Sequence, residues 1–206
     1  RSGSVTGVQT CALPIFQYRL SGNPMASTDI IESFDGEVAT VTLNRPQARN
    51  ALTLEMMKTL EKVMSRLALD SRTRCVVLTG AGGAFCAGGD IGNFQPAKAE
   101  DDGRRAKAND QELIAGLRRR MTLCEIIHEM PKPTLAVIPG AAAGAGLSLA
   151  LACDMRIALD TAKITTAFSR IGVSGDYGGS YFLSKLIGVA KARELYFPVL
   201  DRKSVV

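Results

Sequence analysis

Alternating apolar and polar positions near the start of the domain predict a β-hairpin. The runs from Asp29 to Phe34 and from Val38 to Leu43 are rich in β-branched side chains that alternate in polarity. Asp35-Gly36 between them is a dipeptide typical of two-residue hairpin turns. We therefore expect two antiparallel strands joined at this dipeptide.

The spacing of apolar residues then changes to one typical of an amphipathic helix. From Thr53 to Leu69, apolar side chains recur every three or four residues, and Thr53 is suited to cap the start of the helix. The predicted apolar stripe consists of Leu54, Met57, Leu60, Met64 and Leu67. We expect this stripe to pack against the core.

Strand-like and helix-like segments alternate along the rest of the chain. Strands are predicted at Cys75–Thr79, Leu135–Ile138 and Met155–Leu159. Helices are predicted at Glu112–Met130, at Ala143–Ala152, and after Gly178 and Val189, and a polar loop at residues 92–110. This alternation predicts an α/β domain built from packed layers, and the chain has no internal repeat.

The two ends of the chain differ in pattern from the middle. Residues 1–24 have no sustained period, whereas Met25 begins a polar lead into the first strand. We expect residues 1–24 to be a non-native leader, 25–200 to form the domain, and 201–206 to be a non-native tail. On this interpretation the domain is cut off at its C-terminal side.

Composition and charge narrow the class of protein. The chain has 206 residues, 46% hydrophobic and 22% charged, which is typical of one soluble globular domain. Its net charge of +5 comes largely from the ends, because residues 28–200 carry 21 basic and 19 acidic side chains. This balance argues against nucleic acid or a membrane surface as a partner. The uncharged run at 134–153 is interrupted by Pro139 and Gly140, which argues against a transmembrane segment.

Cysteine and histidine usage excludes several kinds of site. The chain has five cysteines, no CxxC pair, and His128 as its one histidine. A zinc site or a disulfide framework therefore lacks its ligands, and a Ser-His-Asp nucleophile would need His128 to lie in the right place. A reduced, cytoplasmic setting fits this usage best.

Two turns rich in glycine and alanine follow predicted strands and are candidates for chemistry. GAGGAFCAGGD (80–90) follows the strand at Cys75–Thr79, and PGAAAGAG (139–146) follows the strand at Leu135–Ile138 and opens a helix. Small residues let the backbone approach a ligand, and a helix N-terminus adds N–H groups without acceptors. Two such turns could aim two N–H groups at one oxygen and form an oxyanion hole. Alternatively, the small residues serve only turns and close packing.

Four runs of sequence resemble the crotonase superfamily, the enoyl-CoA hydratases and isomerases, in order and spacing. They are LNRPQARNAL (43–52), VVLTGAGGAFCAGGDI (76–91), PKPTLAVIPGAAAGAGLSLALACDMRIA (131–158) and GDYGGSYFLSKLIGVAKARELYF (175–197). The resemblance implies an α/β fold, a crotonase-like spiral of ββα units, here with an incomplete C-terminal helical region. It also implies an acyl-CoA thioester substrate, no metal, no cofactor beyond the coenzyme A of the substrate, and a homotrimer or hexamer.

The resemblance also implies roles for particular residues. The backbone N–H groups of Ala87 and Ala145 would form the oxyanion hole for the thioester carbonyl. Asp90 would brace the first turn by accepting backbone N–H bonds. The residues expected to contact substrate are Ala87, Gly88, Gly89, Asp90, Ile91, Gly144, Ser148, Phe168 and Tyr177.

Departures from the family pattern favour one reaction over another. Hydratases of the superfamily use two glutamates, and the corresponding positions here are Ser148 and Phe168. Asp176 falls where isomerase branches carry a catalytic aspartate, and one carboxylate can move a proton between two carbons of an enolate. An apolar acyl pocket would raise the pKa of such a carboxyl. We therefore expect double-bond isomerisation with Asp176 as acid and base.

Several alternatives stay open at this point. Ser148 and Asp176 could together manage water in an enoyl-CoA hydratase, or the chain could be a non-catalytic acyl-CoA-binding homologue or an inactive fragment. Among the single residues, Asp176 could instead cap the helix that begins at Gly178 or Gly179. Ser148 could be a packed helix hydroxyl, and Tyr177 a wall residue.

Overall fold

The computed structural model describes residues 29–90, 110–171 and 174–197. The expected leader at 1–24, the expected tail at 201–206 and the candidate substrate contact Ile91 lie outside the described residues, as does the predicted loop up to residue 109.

Strands and helices alternate along the described chain. In order they are β1 (Ile30–Asp35), β2 (Val38–Leu43), α1 (Leu54–Leu69), β3 (Cys75–Gly80), β4 (Ala84–Cys86), α2 (Asp110–His128), β5 (Thr134–Ile138), β6 (Ala141–Ala143), α3 (Ala145–Ala152), β7 (Met155–Ala158), β8 (Ile164–Thr165), α4 (Gly179–Ile187) and α5 (Val189–Tyr196). Short 3₁₀ turns cover Pro46–Ala48 and Phe168–Ile171. The predicted α/β alternation is confirmed.

A five-stranded sheet in the order β1-β2-β3-β5-β7 forms the main layer. β1 and β2 are antiparallel and form the predicted hairpin, with Gly36 at a φ of 55° in the turn. The pairs β2-β3, β3-β5 and β5-β7 are parallel. Because β3 and β5 are parallel neighbours, the two glycine-rich turns that follow them leave the same edge of the sheet.

Three very short strands form a second parallel sheet in the order β4-β6-β8. The sequence pattern did not predict them, because runs of two or three residues carry too few positions to define a period. β6 also corrects the predicted helix at Ala143–Ala152. Ala141 and Ala142 pair with β4, and Ala143 pairs with β8, so the helix α3 begins only at Ala145.

Helix α1 covers one side of the main sheet, close to the predicted position. The Thr53 side chain accepts a hydrogen bond from the Met56 amide at 3.1 Å, as expected of an N-cap. The buried stripe is rotated from the predicted one: Leu54 is 59% exposed, and the buried side chains are Met56, Leu60, Val63, Met64 and Leu67.

Helix α3 lies in the interior of the domain. All eight of its residues are buried, and it packs against α2 and α4 as well as against β4 and β6. A buried helix needs no polar face, which explains its composition of alanine, leucine and glycine with one serine. Its N-terminus therefore has a fixed position beside the turn that follows β4.

Candidate active site

The first glycine-rich turn runs beside the segment Arg49–Leu52. The Ala87 amide donates to the Arg49 carbonyl oxygen at 2.9 Å, and the Leu52 amide donates to the Gly88 carbonyl oxygen at 2.8 Å. The Asp90 amide in turn donates to the Leu52 carbonyl oxygen at 3.0 Å. The Ala87 N–H expected in the oxyanion hole is thus already used within the protein, which corrects that expectation.

The backbone groups of Gly89 in this turn point away from the Arg49–Leu52 segment. Gly89 forms a parallel bridge with Leu52. In this bridge Leu52 makes both hydrogen bonds, one to the Gly88 carbonyl oxygen and one from the Asp90 amide, so the backbone groups of Gly89 itself take no part. The Gly89 N–H therefore points away from Leu52. Among the described residues, none accepts a hydrogen bond from it.

The second turn leads directly into α3. Gly144 precedes the helix with a φ of 50°, a conformation that favours glycine, and its amide donates to the Thr165 carbonyl oxygen at 3.1 Å. Ala145 is the first residue of the helix, so its amide has no acceptor within the helix. The helix dipole adds positive potential at this end.

The two turns lie against each other without intervening side chains. A Cβ atom at Gly88 would come within 3.0 Å of the Ala143 carbonyl oxygen and 3.7 Å of the Ala145 nitrogen. A Cβ atom at Gly146 would come within 2.5 Å of the Cys86 carbonyl oxygen. Side chains at either glycine would force the turns apart, so their close approach depends on the absence of Cβ atoms.

Asp90 braces the first turn through an ion pair. The Arg45 guanidinium donates from Nη1 to Asp90 Oδ2 at 3.1 Å and to the Ala51 carbonyl oxygen at 2.6 Å. Asp90 is therefore linked to the Arg45 side chain at the end of the first turn. The arginine connects both sides of the turn, because it contacts Asp90 on one segment and Ala51 on the other.

Asn50 is a structural residue of the site that sequence reasoning missed. Its side chain is fully buried, and Oδ1 accepts from the Arg45 amide at 2.8 Å. Nδ2 donates to the Ala81 carbonyl oxygen at 2.9 Å and to the Ala84 carbonyl oxygen at 2.8 Å. Its φ of 57° lies in the left-handed region, which asparagine adopts more often than most other residues. Asn50 therefore ties the LNRPQARNAL segment to both ends of the turn before β4.

Ser148 and Asp176 are neighbours across the interface between α3 and the segment before α4. The Ser148 hydroxyl lies 3.3 Å from the Gly144 carbonyl oxygen and 3.2 Å from the Asp176 carbonyl oxygen. Helix α4 has Gly178 at its N-cap, and the Gly179 amide at its start donates to the Asp176 carbonyl oxygen at 3.1 Å. The Oδ1 atom of Asp176 is buried in the interior of the domain.

Three aromatic rings lie near Ser148 and Asp176. A Cβ atom at Gly144 would be 3.7 Å from two ring carbons of Phe168, and Phe168 stacks on Tyr196 with ring centroids 6.3 Å apart and planes at 7°. Tyr177 is buried, and its hydroxyl contacts the Met57 sulfur. With its hydroxyl in contact with Met57, the Tyr177 ring forms part of the wall of the site. Ser148 thus lies next to the Asp176 segment, and Phe168 lies beside Gly144 at the start of α3.

Buried thiols near the turns are held in their neutral form. Burial raises the pKa of Cys86, in β4, to about 12, and raises the pKa of Cys153, at the end of α3, to about 12. A thiol with such a pKa is a poor nucleophile at neutral pH. Cys86 therefore acts as a small packing residue beside the first turn.

The described residues form neither a metal-binding cluster nor a helix that could span a membrane. Within residues 29–90, 110–171 and 174–197, no group of three or more His, Cys, Asp or Glu side chains is arranged to hold a metal ion. In the same part of the chain, every helix is too short or too polar to cross a bilayer.

Comparison with known proteins defines the family. The family model described as enoyl-CoA hydratase/isomerase matches residues 33–199. The chain belongs to this family, as its resemblance to the crotonase superfamily predicted, and the α/β crotonase-like fold is confirmed by solved structures. One of them, an enoyl-CoA hydratase from Polaromonas sp. JS666, is 36% identical with a TM-score of 0.69, over 81% of this chain and 62% of that one.

Individual relatives have different activities. The chain is 37% identical over 169 residues to 1,2-epoxyphenylacetyl-CoA isomerase of Escherichia coli, covering 81% of this chain and 61% of that protein. It is 33% identical over 181 residues to short-chain-enoyl-CoA hydratase of Clostridium acetobutylicum, covering 87% and 65%. An enoyl-CoA hydratase homologue from Thermobifida fusca, solved in complex with acetoacetyl-CoA, has a TM-score of 0.70 at 33% identity, over 81% of this chain and 65% of that one. The chain thus spans less than two thirds of these proteins.

Proposed function

We propose that the protein acts on enoyl-CoA thioesters and moves their carbon–carbon double bond through an enolate, with Asp176 as acid and base. The observation that carries this proposal is the place of Asp176. Its carbonyl oxygen lies 3.2 Å from the Ser148 hydroxyl, and the Phe168 ring lies beside Gly144 at the start of α3. By the resemblance to the crotonase superfamily, Ser148 and Phe168 occupy the positions of the two hydratase glutamates. The remaining carboxyl is suited to transferring a single proton.

The enolate oxygen would be held by two backbone N–H groups, those of Gly89 and Ala145. The Gly89 amide points away from Leu52, and the Ala145 amide begins a helix, so neither has an acceptor among the described residues. Two donors aimed at the thioester oxygen stabilise the negative charge that develops there. In this assignment Gly89 replaces Ala87 as the first donor.

The proton balance of the reaction requires one carboxyl group. The Asp176 carboxylate removes a proton from the γ-carbon, and the electron pair moves through the double bond to the thioester oxygen. The same carboxyl then returns the proton to a second carbon, and the double bond forms at its new position. The reaction consumes no water and needs no cofactor, since coenzyme A is part of the substrate.

The test is turnover of a panel of enoyl-CoA and dienoyl-CoA esters in deuterated water. The position of the double bond and the position of deuterium in each product are measured. We expect products with a shifted double bond, with deuterium at the carbon that receives the proton to the extent that the Asp176 carboxyl exchanges its proton with solvent before returning it. Asp176→Asn should lower the turnover number by at least about a hundredfold. Asp160→Asn, at an exposed carboxyl in the turn after β7, is the matched control and should behave as the wild type.

Other outcomes of this experiment support different functions. Hydration of crotonyl-CoA, seen as loss of the enoyl absorbance, would favour a hydratase that uses Ser148 and Asp176. Binding of acyl-CoA with no turnover by either the wild type or Asp176→Asn would favour a non-catalytic binder. Both would contradict the proposed isomerisation. The assays use the full-length protein.

We propose in addition a homotrimer, or a dimer of trimers, as the assembly. The edge strand β7 exposes Met155 and Ile157, which are 52% and 59% accessible, and a groove of about 940 Å³ lies beside it between β8 and α5. Apolar faces of this kind usually mark an interface. Light scattering should give a multiple of three chains, and Ile157→Lys should lower it; a monomeric wild type would contradict the proposal.

A further inference from the structure

Tyr196, the last residue of α5, directs its hydroxyl group into the polar corner formed by Ser148 and the Asp176 segment. A Cβ atom at Gly179 would lie 2.2 Å from Ser148 Oγ and 2.9 Å from the Tyr196 hydroxyl oxygen. The two hydroxyl groups therefore flank this one glycine, which lies in the first turn of α4.

The segment around Asp176 is shaped to admit the Tyr196 ring. A Cβ atom at Gly175 would come within 2.8 Å of the Tyr196 ring and 3.3 Å of its hydroxyl oxygen. Glycine therefore stands on both sides of Asp176, at 175 and at 179, where any larger side chain would displace the tyrosine. Gly175 has no positive φ that would explain its identity by backbone conformation.

Two contacts hold the Tyr196 ring in place. Its ring stacks on Phe168, with planes at 7°, and the Thr166 hydroxyl donates to the Leu195 carbonyl oxygen at 2.6 Å. Both partners belong to the short segment that leads from β8 to the following 3₁₀ turn. The hydroxyl of a ring fixed in this way loses little conformational entropy when it forms a hydrogen bond.

The charge of Asp176 reaches the tyrosine hydroxyl. Burial and this carboxylate together raise the pKa of Tyr196 to about 12, so the phenol keeps its proton at neutral pH and can act as a donor. Cys124 of α2 also feels the charge of Asp176, and its own pKa is raised mainly by burial. Tyr196 and Cys124 thus both lie where the charge of Asp176 raises the pKa of a neighbouring side chain.

We propose that Tyr196 is a positioning residue for the acid and base Asp176. In the enzyme–substrate complex, the Tyr196 hydroxyl donates a hydrogen bond to the Asp176 carboxylate and holds it at the carbon from which the proton is removed. This inference rests on the proposed function of Asp176. A donor to the ionised carboxylate favours the form that accepts a proton, so it also sets the pH at which the base becomes active.

The central test compares Tyr196→Phe with Tyr181→Phe in the complete gene product. Tyr196→Phe keeps the ring that stacks on Phe168 and removes only the hydroxyl, while Tyr181 is 56% exposed and is the matched control. We expect Tyr196→Phe to lower kcat about tenfold with little change in KM, and to move the acidic limb of the kcat profile upward by about one pH unit. Tyr181→Phe should change neither.

Asp176→Asn separates failure of this inference from failure of the proposed function. If Asp176→Asn is inactive and Tyr196→Phe keeps the kcat and pH profile of the wild type, Tyr196 has no positioning role. If Asp176→Asn retains full turnover, the proposed function fails, and the positioning role fails with it.

A second measurement needs no turnover. Alkaline spectrophotometric titration, with Tyr196→Phe subtracted, reports the ionisation of the Tyr196 phenol alone. Loss of the carboxylate charge in Asp176→Asn should lower the pKa of this phenol from about 12. An unchanged phenol titration in Asp176→Asn would overturn the proposed contact.

Discussion

The Ser148 hydroxyl lies 3.2 Å from the Asp176 carbonyl oxygen and thereby fastens the buried helix α3 to the segment that precedes α4. The same helix supplies the Ala145 amide three residues earlier. The two groups that the proposed reaction needs, an anion-binding amide and a carboxyl, are thus connected through one short helix. Changes at Ser148 should consequently affect stability and catalysis together.

Ser148→Ala should weaken this connection. Loss of a buried hydrogen bond of this kind costs about 0.5–1.5 kcal/mol in free energy of unfolding, and we expect a several-fold loss of kcat because the Asp176 segment is less firmly held. Urea unfolding and steady-state kinetics measure the two effects. Ser180→Ala, at an exposed position of α4, is the control and should leave both unchanged.

Gly88 and Gly89 should respond very differently to alanine, although they are adjacent. Gly88 has a φ of 101°, and its Cβ would meet the Ala143 carbonyl oxygen at 3.0 Å. Gly89 has no positive φ, and open space surrounds its Cβ position. We expect Gly88→Ala to destabilise the protein by about 1–3 kcal/mol and to separate the turns, whereas Gly89→Ala should change stability by less than about 0.5 kcal/mol.

The same pair of variants tests the oxyanion assignment. Gly89→Ala keeps the backbone N–H and should retain turnover, but Gly88→Ala should reduce kcat in the fraction that remains folded. Thermal unfolding and kinetics on the two proteins give the comparison. Equal stability of the two variants would contradict the close contact between the turns.

Asn50→Ala should be among the most destabilising single changes in the domain. It leaves the Ala81 and Ala84 carbonyl oxygens and the Arg45 amide without their side-chain partner in a buried place. We expect a loss of about 2–4 kcal/mol in free energy of unfolding. Denaturant unfolding should find Gln47→Ala, which removes an exposed amide in the same segment, close to the wild type.

Stability should fall at alkaline pH because of the buried thiols. The pKa of Cys153 is 9.0 as a reference and about 12 in the folded protein, so below pH 9 its stabilising contribution is complete. As pH rises from 9 toward 12, the unfolded chain releases a proton that the folded protein keeps, and stability falls by about 1.4 kcal/mol for each pH unit.

Cys153→Ala should therefore make the alkaline decline less steep. Urea unfolding on either side of about pH 9 measures the slope of stability against pH. Cys75, which is only partly buried at the start of β3, provides the matched control, and Cys75→Ala should have the smaller effect on the slope. A slope that is identical in all three proteins would contradict the role of burial.

Local patterns were sufficient to predict the hairpin and α1. Asp35-Gly36 and the alternation around it specify a turn and two strands, and these features depend only on neighbouring residues. The N-cap at Thr53 was predicted for the same reason. The buried face of α1 was placed less accurately, because the direction of the core, on which the burial of Leu54 or Met56 depends, is decided by other elements.

The sequence predicted some residues of the site but not the contacts that hold the site together. The positions of Ser148, Phe168 and Asp176 came from the motif resemblance, and the fold places the Ser148 hydroxyl next to the Asp176 carbonyl oxygen. The use of the Ala87 amide by Arg49 and the ion pair between Arg45 and Asp90 were not predictable, because both join segments about forty residues apart. Neither contact leaves a local signature in the sequence.

The amino-acid sequence by itself determined the order of the longer strands and the helices, and it located the two turns of small residues. These follow from periodicity and residue type, which are properties of neighbouring positions. Only the tertiary structure decided which amides remain available, that Asn50 is a buried crosslink, and that Tyr196 reaches the Asp176 segment. Hydrogen bonds between distant segments form only after the chain has packed, so their partners are set by the fold as a whole.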